Sequence, residues 1–266
     1  MVFILQGVPP VLVGIYALIF LADRPSKARW LTPAESTWLE DRITAENTAL
    51  ASGDGQPDHR LSTALRAFRN PRVIALSTVA FLASIGNYGM AFFLPQVVQQ
   101  MNPDYSQTNI GFVGALPYIC AAVAMLLVGR ASDRSKDRRL IVMACLAVGV
   151  AGLVATVLFR HMALLGAVSL CFLAIGIVSY SPPMWAYVTE MLDKNQRVVV
   201  LAIMTSIASF AGFVGPLLIG MVASKDNIAF GLVIPATCLA LAIVLLALVR
   251  PRKGSAAVAV TELPAA

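Results

Sequence analysis

Seven apolar runs, 2–22, 73–98, 110–128, 140–159, 163–184, 198–223 and 228–249, are separated by intervals that collect nearly all of the charge. A helix crossing a hydrocarbon core of about 30 Å needs about 20 apolar residues, and each run comes close to that length or exceeds it. Charges inside the runs do not recur at helical spacing, as they would on the wet face of a soluble helix. The pattern predicts an all-α membrane protein with seven transmembrane helices. The first run has no basic leader, holds Pro9 and Pro10, and leads into Asp23-Arg24-Pro25 instead of a small-residue cleavage site, so it reads as a span and not as a signal peptide.

The longest polar interval, 23–72, has structure of its own. In Trp30-Leu31-Thr32-Pro33-Ala34-Glu35, Thr32 suits a helix cap, Pro33 the first helical position, and Glu35 the return arm of a capping box. Leu39, Arg42, Ile43 and Glu46 carry that helix on with one weakly apolar face, as for a helix lying on the membrane surface. It breaks at Ser52-Gly53-Asp54-Gly55-Gln56-Pro57. A second amphipathic stretch with Leu61, Leu65 and Phe68 ends at Asn70-Pro71, where the next span begins, and the small, polar tail 251–266 is expected to be disordered.

Composition agrees: 58% of residues are hydrophobic, 13% are charged, and mean hydropathy is +0.78, a balance that excludes a soluble globule with a polar surface. The net charge of +6 does not point to nucleic acid, because Lys and Arg are neither interleaved with aromatics nor gathered on one helix face. Of the 20 Lys and Arg, all but Arg160 and Lys225 fall in intervals on one side of the seven-span topology. By the positive-inside rule the N-terminus is expected outside and the C-terminus in the cytoplasm.

Enzymatic chemistry finds no footing. Cys120, Cys145, Cys171 and Cys238 each stand alone in apolar runs, as packing residues do, while His59 and His161 sit in polar gaps. There is no Ser/His/Asp grouping, nucleophile elbow or phosphate-cradling loop, and hence no expected cofactor or metal.

The most specific motif lies between the third and fourth spans: Gly129-Arg130-Ala131-Ser132-Asp133-Arg134-Ser135-Lys136-Asp137-Arg138-Arg139. A basic loop obeying the positive-inside rule accounts for the arginines but not for Asp133, an acid at the buried edge of a helix end that suits a partner helix N-terminus or an arginine. The segment resembles the G-x-x-x-D-R signature of the major facilitator superfamily, in the S-D-R-x-x-[DE]-R-R form of its anion:cation symporter branch. Asn87-Tyr88-Gly89 through Leu94-Pro95-Gln96 resembles the N-Y-G-x-x-x-x-L-P-Q pattern of that branch. Gln107-Thr108-Asn109-Ile110-Gly111 with Pro117-Tyr118, Pro183-Met184-Trp185, Gly212-Phe213-Val214-Gly215-Pro216 and Trp30-Leu31-Thr32-Pro33 resemble further parts of it.

The resemblance implies a twelve-helix transporter in two halves. On that frame, 1–22 is the sixth helix of twelve, 23–72 the cytoplasmic linker between halves, and 73–250 the C-terminal six-helix half. It implies transport of a small organic anion, such as a sugar acid or an aromatic or dicarboxylic acid, coupled to protons by alternating access in a bacterial inner membrane. A major facilitator site lies between two halves, so the implied partners also include an N-terminal half, and the chain reads as a truncated transporter. The alternatives are a seven-helix receptor and a nonfunctional fragment; a retinal protein would need a lysine in the last span, which has none.

A buried amide or phenol in lipid is costly unless it faces a neighbouring helix or a watery cavity. Asn87, Tyr88 and Tyr118, all near mid-membrane, are therefore substrate-site candidates, with an interhelical hydrogen bond as the alternative for each. Trp185 follows the double break Pro182-Pro183 and is either a site residue or an interfacial anchor. Thr205-Ser206-Ile207-Ala208-Ser209 stands where the branch often has N-S-x-G-N. Ser206 and Ser209 are donors there, or small packing residues with Gly212 and Gly215. No arginine for a carboxylate is visible in these spans. Gly129, Asp133, Arg134, Arg138 and Arg139 form the expected gating motif, joined by Glu190 as part of a gate or proton relay, or else as a surface partner of Lys194 or Arg197.

Overall fold

The computed structural model describes residues 2–22, 24–28, 30–52, 70–135, 137–159, 161–192, 194–223 and 231–249. The stretch with Leu61, Leu65 and Phe68, His59, and the tail 251–266 lie outside the described residues. Among those described, all regular structure is helical. Five helices are long and apolar enough to cross a bilayer: Pro71–Met101, Gln107–Arg134, Arg138–Leu158, Leu164–Met191 and Arg197–Val222. Two further apolar stretches, Gly7–Phe20 and Val233–Leu248, are shorter.

Two compact units divide the chain near Asp58. The first holds α1 (Val2–Phe20), a single 3-10 turn (Pro25–Lys27) and α2 (Pro33–Ser52). α1 is apolar around its whole circumference, with Val11, Leu12, Val13 and Leu18 all exposed, as suits a helix solvated by lipid. α2 starts with the capping box expected of its sequence. The Thr32 N–H and hydroxyl donate to Glu35 Oε2 at 3.0 and 2.8 Å, and the Glu35 N–H returns to Thr32 Oγ1 at 3.4 Å. These donors hold the Glu35 carboxyl below its ordinary value of 4.5. The Ser26 N–H donates to Glu40 Oε1 at 3.2 Å and fastens the 3-10 turn to α2.

The second unit contains α3 (Pro71–Met101), α4 (Gln107–Arg134), α5 (Arg138–Leu158), α6 (Ala163–Ser179), α7 (Ser181–Met191), α8 (Lys194–Val222) and α9 (Val233–Leu248). Three of these starts are capped by short polar side chains. Asn70, Ser106 and Asp137 accept from the N–H groups of Arg72, Asn109 and Arg139 at the heads of α3, α4 and α5.

α3 is the central rod, packed on α8, α9 and α6, while α6 also packs on α4 and α5, and α9 on α5. Leu76, Val79, Ile85 and Val98 of α3 meet Leu146, Ile177, Met204 and Leu239 of its neighbours in one buried core. At the α5–α6 contact, Gly149, Gly152 and Gly176 let the two backbones touch, and the Thr156 hydroxyl donates to Ser169 Oγ at 3.0 Å across it. α4 buries only Ile110, Pro117, Ala121 and Ser132, leaving Phe112, Ile119 and Leu126 facing outward.

Candidate functional site

Near its midpoint α3 turns Ser84, Asn87 and Tyr88 in one direction, because spacings of three and four residues share a helix face. Thr205, Ala208 and Ser209 repeat that spacing on α8. Ile177, Ser181 and Trp185, four residues apart, run across the α6–α7 junction. With Val178, Tyr180 and Met125 they line a cavity of about 290 Å³. That lies at the lower end of the roughly 300–1,000 Å³ typical of ligand sites, a size for a small solute. None of these lining residues carries a charge.

The polar groups of the cavity are largely open. Among the described residues, no hydrogen bond engages the side chains of Asn87, Ser181, Trp185 or Ser209, so the interhelical bond considered for Asn87 is not made. Thr205 differs, since its hydroxyl turns back to the Leu201 and Ala202 carbonyls at 2.9 and 2.8 Å. Tyr180, 8% exposed, has Ser84 and Tyr88 as polar neighbours. The Tyr88 ring packs on Gly212, where a Cβ would stand 3.2 to 3.4 Å from ring atoms.

The α6–α7 junction is a chemical necessity. Pro182 and Pro183 have no N–H, so the carbonyls of Val178 and Ser179 lose the donors that a continuous helix would supply. Regular bonding resumes with the Met184 N–H to the Tyr180 carbonyl at 3.0 Å. The fifth run, expected to end at 184, continues as α7 to Met191. That extension puts Trp185 in the cavity wall.

At the far end of α7, Arg138 joins two acids. Its Nη2 is 3.5 Å from Asp133 Oδ1 and its Nε is 3.1 Å from Glu190 Oε1. One guanidinium at the head of α5 thus ties the tail of α4 to the tail of α7. The Asp133 side chain is 76% exposed, so the expectation of a buried-edge acid is corrected. Its carboxylate meets the negative end of the α4 dipole, which a nearby cation offsets. Glu190 pairs with Arg138, a residue distant in sequence, and the Lys194 side chain offered by sequence proximity lies outside those described.

Arg139 donates to the Ala247 carbonyl at the end of α9, while its Nε, the Ser132 hydroxyl and the Tyr187 hydroxyl are buried without partners among the described residues. Arg134 is exposed, and a Cβ at Gly129 would meet open space.

Two candidates stand apart from the cavity. Tyr118 is 41% exposed, two turns along α4 from Met125, and Ser206 donates to the Ala202 carbonyl at 2.9 Å. Sequence reasoning missed Ser84, Tyr180, Ser181 and Thr205. Their signal was the stripe: Ser84 completes i, i+3, i+4 with Asn87 and Tyr88, as Thr205 does with Ala208 and Ser209.

Comparison with known proteins settles the lineage. A family model of the Major Facilitator Superfamily matches residues 102–265. The chain belongs to that superfamily. It is 34% identical over 229 residues to an Agrobacterium vitis protein named "Putative tartrate transporter", covering 85% of this chain and 47% of that one. It is 28% identical over 225 residues to the "Inner membrane transport protein RhmT" of Escherichia coli (strain K12), covering 81% and 48%. The chain thus spans about half the length of the curated relatives it matches. The crystal structure of an auto-inhibited POT family peptide transporter superposes with a TM-score of 0.61 at 17% identity, over 67% of this chain and 37% of that one, which speaks for the fold alone. Membership makes this an integral membrane protein whose kinship is with transporters of small organic compounds and not with enzymes.

Proposed function

We propose that the chain forms the C-terminal half, with one preceding helix, of a secondary transporter of the anion:cation symporter branch, carrying a small organic anion with protons by alternating access. The observation that carries this is the small cavity halfway along α3, lined by largely open, uncharged hydrogen-bonding groups of α3, α7 and α8. Lipid offers such groups no partner, so an exposed amide and indole at that depth are costly unless a solute passes them.

A hydroxy dicarboxylic acid is consistent with the printed name of the A. vitis relative, and a sugar acid or aromatic acid belongs to the same class. Residues 1–22 then serve as the sixth helix of twelve, 23–72 as the linker, and 73–250 as one six-helix half facing an N-terminal half across the cavity. The concentration of Lys and Arg supports a cytoplasmic location for the Arg138 end. There the Asp133–Arg138–Glu190 pairing acts as the gate, made in one conformation and released in the other.

The test is uptake of radiolabelled organic acids by cells expressing the protein, with and without Asn87→Ala. Uptake is expected to fall about tenfold in the variant, the loss of one or two hydrogen bonds to substrate. Undiminished uptake removes Asn87 from the site. The DNA 5′ of the Met1 codon provides a second check. In-frame sequence for about five further apolar helices is expected, by the half-and-half plan of the fold, and an unrelated gene ending there refutes the assignment.

A further inference from the structure

Two of the four cysteines, each alone in its apolar run, are brought together by the fold. Short connections make α4, α5 and α6 run up, down and up, so α4 and α6, which pack on each other, are parallel. Met125 of α4 and Ile177 of α6 line the same cavity, which fixes the register of the pair. Counting back at 1.5 Å per residue puts Cys120 about 8 Å and Cys171 about 9 Å from those two, at one height. There one thiol donates a hydrogen bond to the other. Among the described residues, Cys145 and Cys238 have no such sulfur neighbour.

Both thiols are half-buried, at the outer margin of the seam between α4 and α6. Leu116 and Val123, one turn to either side of Cys120, and Val168, one turn before Cys171, are all exposed on the surface that faces lipid. A small uncharged reagent dissolved in the bilayer therefore reaches the sulfurs, whereas a charged one is held back by the cost of leaving water.

We propose that Cys120 and Cys171 form a modification site, at which hydrogen peroxide entering from the bilayer links α4 to α6 by a disulfide. One sulfur attacks a peroxide oxygen, the O–O bond breaks, and a sulfenic acid forms as water leaves. The second thiol then attacks that sulfur: the S–S bond forms, the S–O bond breaks, and the departing hydroxyl takes the second thiol's proton and leaves as water. Two electrons pass from the sulfurs to the peroxide, and two thiols with one hydrogen peroxide give one disulfide and two waters. The contact directs this outcome, because the second thiol already stands at the sulfur that is attacked. A sulfenic acid without such a neighbour is open to further oxidation. The link closes a loop of about 50 residues and reinforces α4, whose buried residues are only Ile110, Pro117, Ala121 and Ser132.

The test treats the purified protein in lipid nanodiscs with hydrogen peroxide, alkylates the remaining thiols after unfolding, and maps the digest by mass spectrometry. A linked Cys120–Cys171 peptide is expected, two hydrogens lighter than the sum of its parts, and dithiothreitol should return both thiols. Tm is expected to rise by about 4–16 °C on oxidation and to fall back on reduction, the stabilisation typical of a cross-link in a chain of this size. In Cys120→Ser the linked peptide should vanish and dimedone should trap Cys171 as its sulfenic acid.

Recovery of both thiols in alkylated form after peroxide overturns the site, and so does their oxidation to sulfinic acids without a link. Linked peptides that include Cys145 or Cys238 in equal yield overturn it as well, since the contact would then select nothing. A linked protein with an unmoved Tm overturns the reinforcement of α4. The unaltered protein decides each of these outcomes even if the serine variant does not fold.

Discussion

Helices α5 and α6 touch backbone to backbone, and glycine makes the contact. A Cβ placed on Gly176 meets the main-chain nitrogen and Cα of Gly149 and lies 2.6 Å from the Cys145 carbonyl oxygen. One placed on Gly152 lies 2.7 Å from the Leu173 Cα and 2.8 Å from the Phe172 carbonyl carbon. These are main-chain atoms of a neighbouring helix, so no side chain can swing aside. Gly176→Ala therefore drives the helices apart by about 1.5 Å, toward an ordinary carbon separation of roughly 3.5–4.0 Å.

Overpacking of this kind costs about 1–3 kcal/mol, and the same displacement breaks the Thr156–Ser169 bond, worth about 0.6 kcal/mol in a membrane protein. Alanine's better helix propensity returns about 1 kcal/mol, leaving a net loss of about 1–3 kcal/mol. At 2–4 °C per kcal/mol, Tm drops by about 2–12 °C. Thermal unfolding of the purified chain in detergent, followed by circular dichroism, measures it. Gly220→Ala is the control, since a Cβ there meets nothing within 4 Å and alanine should be neutral or stabilising. If the two variants melt together, the close glycine contact is not what holds α5 to α6.

Three further expectations follow from particular contacts. A double-mutant cycle on Arg138→Ala and Glu190→Gln should give a coupling of about 0.2–1 kcal/mol, small because Glu190 is half-exposed, and zero coupling removes the pair. The Glu35 carboxyl is depressed by the Thr32 N–H and hydroxyl, so its contribution to α2 is complete above 4.5 and is lost as pH falls through the lower folded value. Thr32→Val should move its NMR titration midpoint part-way back toward 4.5, and an unmoved midpoint refutes the hydroxyl's share. Gly212→Ala sets a Cβ 3.2 to 3.4 Å from the Tyr88 ring, whose free end swings away. Uptake KM should rise while stability changes by no more than about 0.5 kcal/mol, and a Tm loss with unchanged KM takes Tyr88 out of the site.

Local chemistry was legible in the sequence. The apolar runs became helices because each must satisfy its own backbone in lipid, and Thr32, Glu35 and Asn70 marked helix starts because their side chains reach orphan N–H groups only there. Rotational phase was not legible. Ser206 and Ser209 were both plausible donors, lying only about 60° apart around a helix, and only the packing of α8 on α3 decides that Ser209 and not Ser206 lines the cavity with Thr205. For Tyr118 it was height and not phase: seven residues from Met125, it shares that face of α4 but stands two turns from the stretch where Met125 enters the cavity. The Arg138–Glu190 pair was hidden because it joins helices separated by the whole of α5 and α6.

The same break that ends α6 also decides what α7 can transmit. α7 is an eleven-residue helix, about 16 Å long at 1.5 Å per residue, bounded by the proline junction at one end and by Glu190 at the other. Trp185 sits in the cavity wall one turn into it. A rigid rod with a weak joint at its cavity end moves as a unit, so a solute that shifts Trp185 also shifts Glu190 relative to Arg138. Because the ion pair is half-exposed and worth no more than about 1 kcal/mol, a solute contact of ordinary hydrogen-bond strength is enough to open it. A fully buried pair would resist by several times as much, since an unpaired charge would be left behind. The exposure of Asp133, which departs from the buried-edge acid expected there, is thus a property that fits the gate proposed for the pairing.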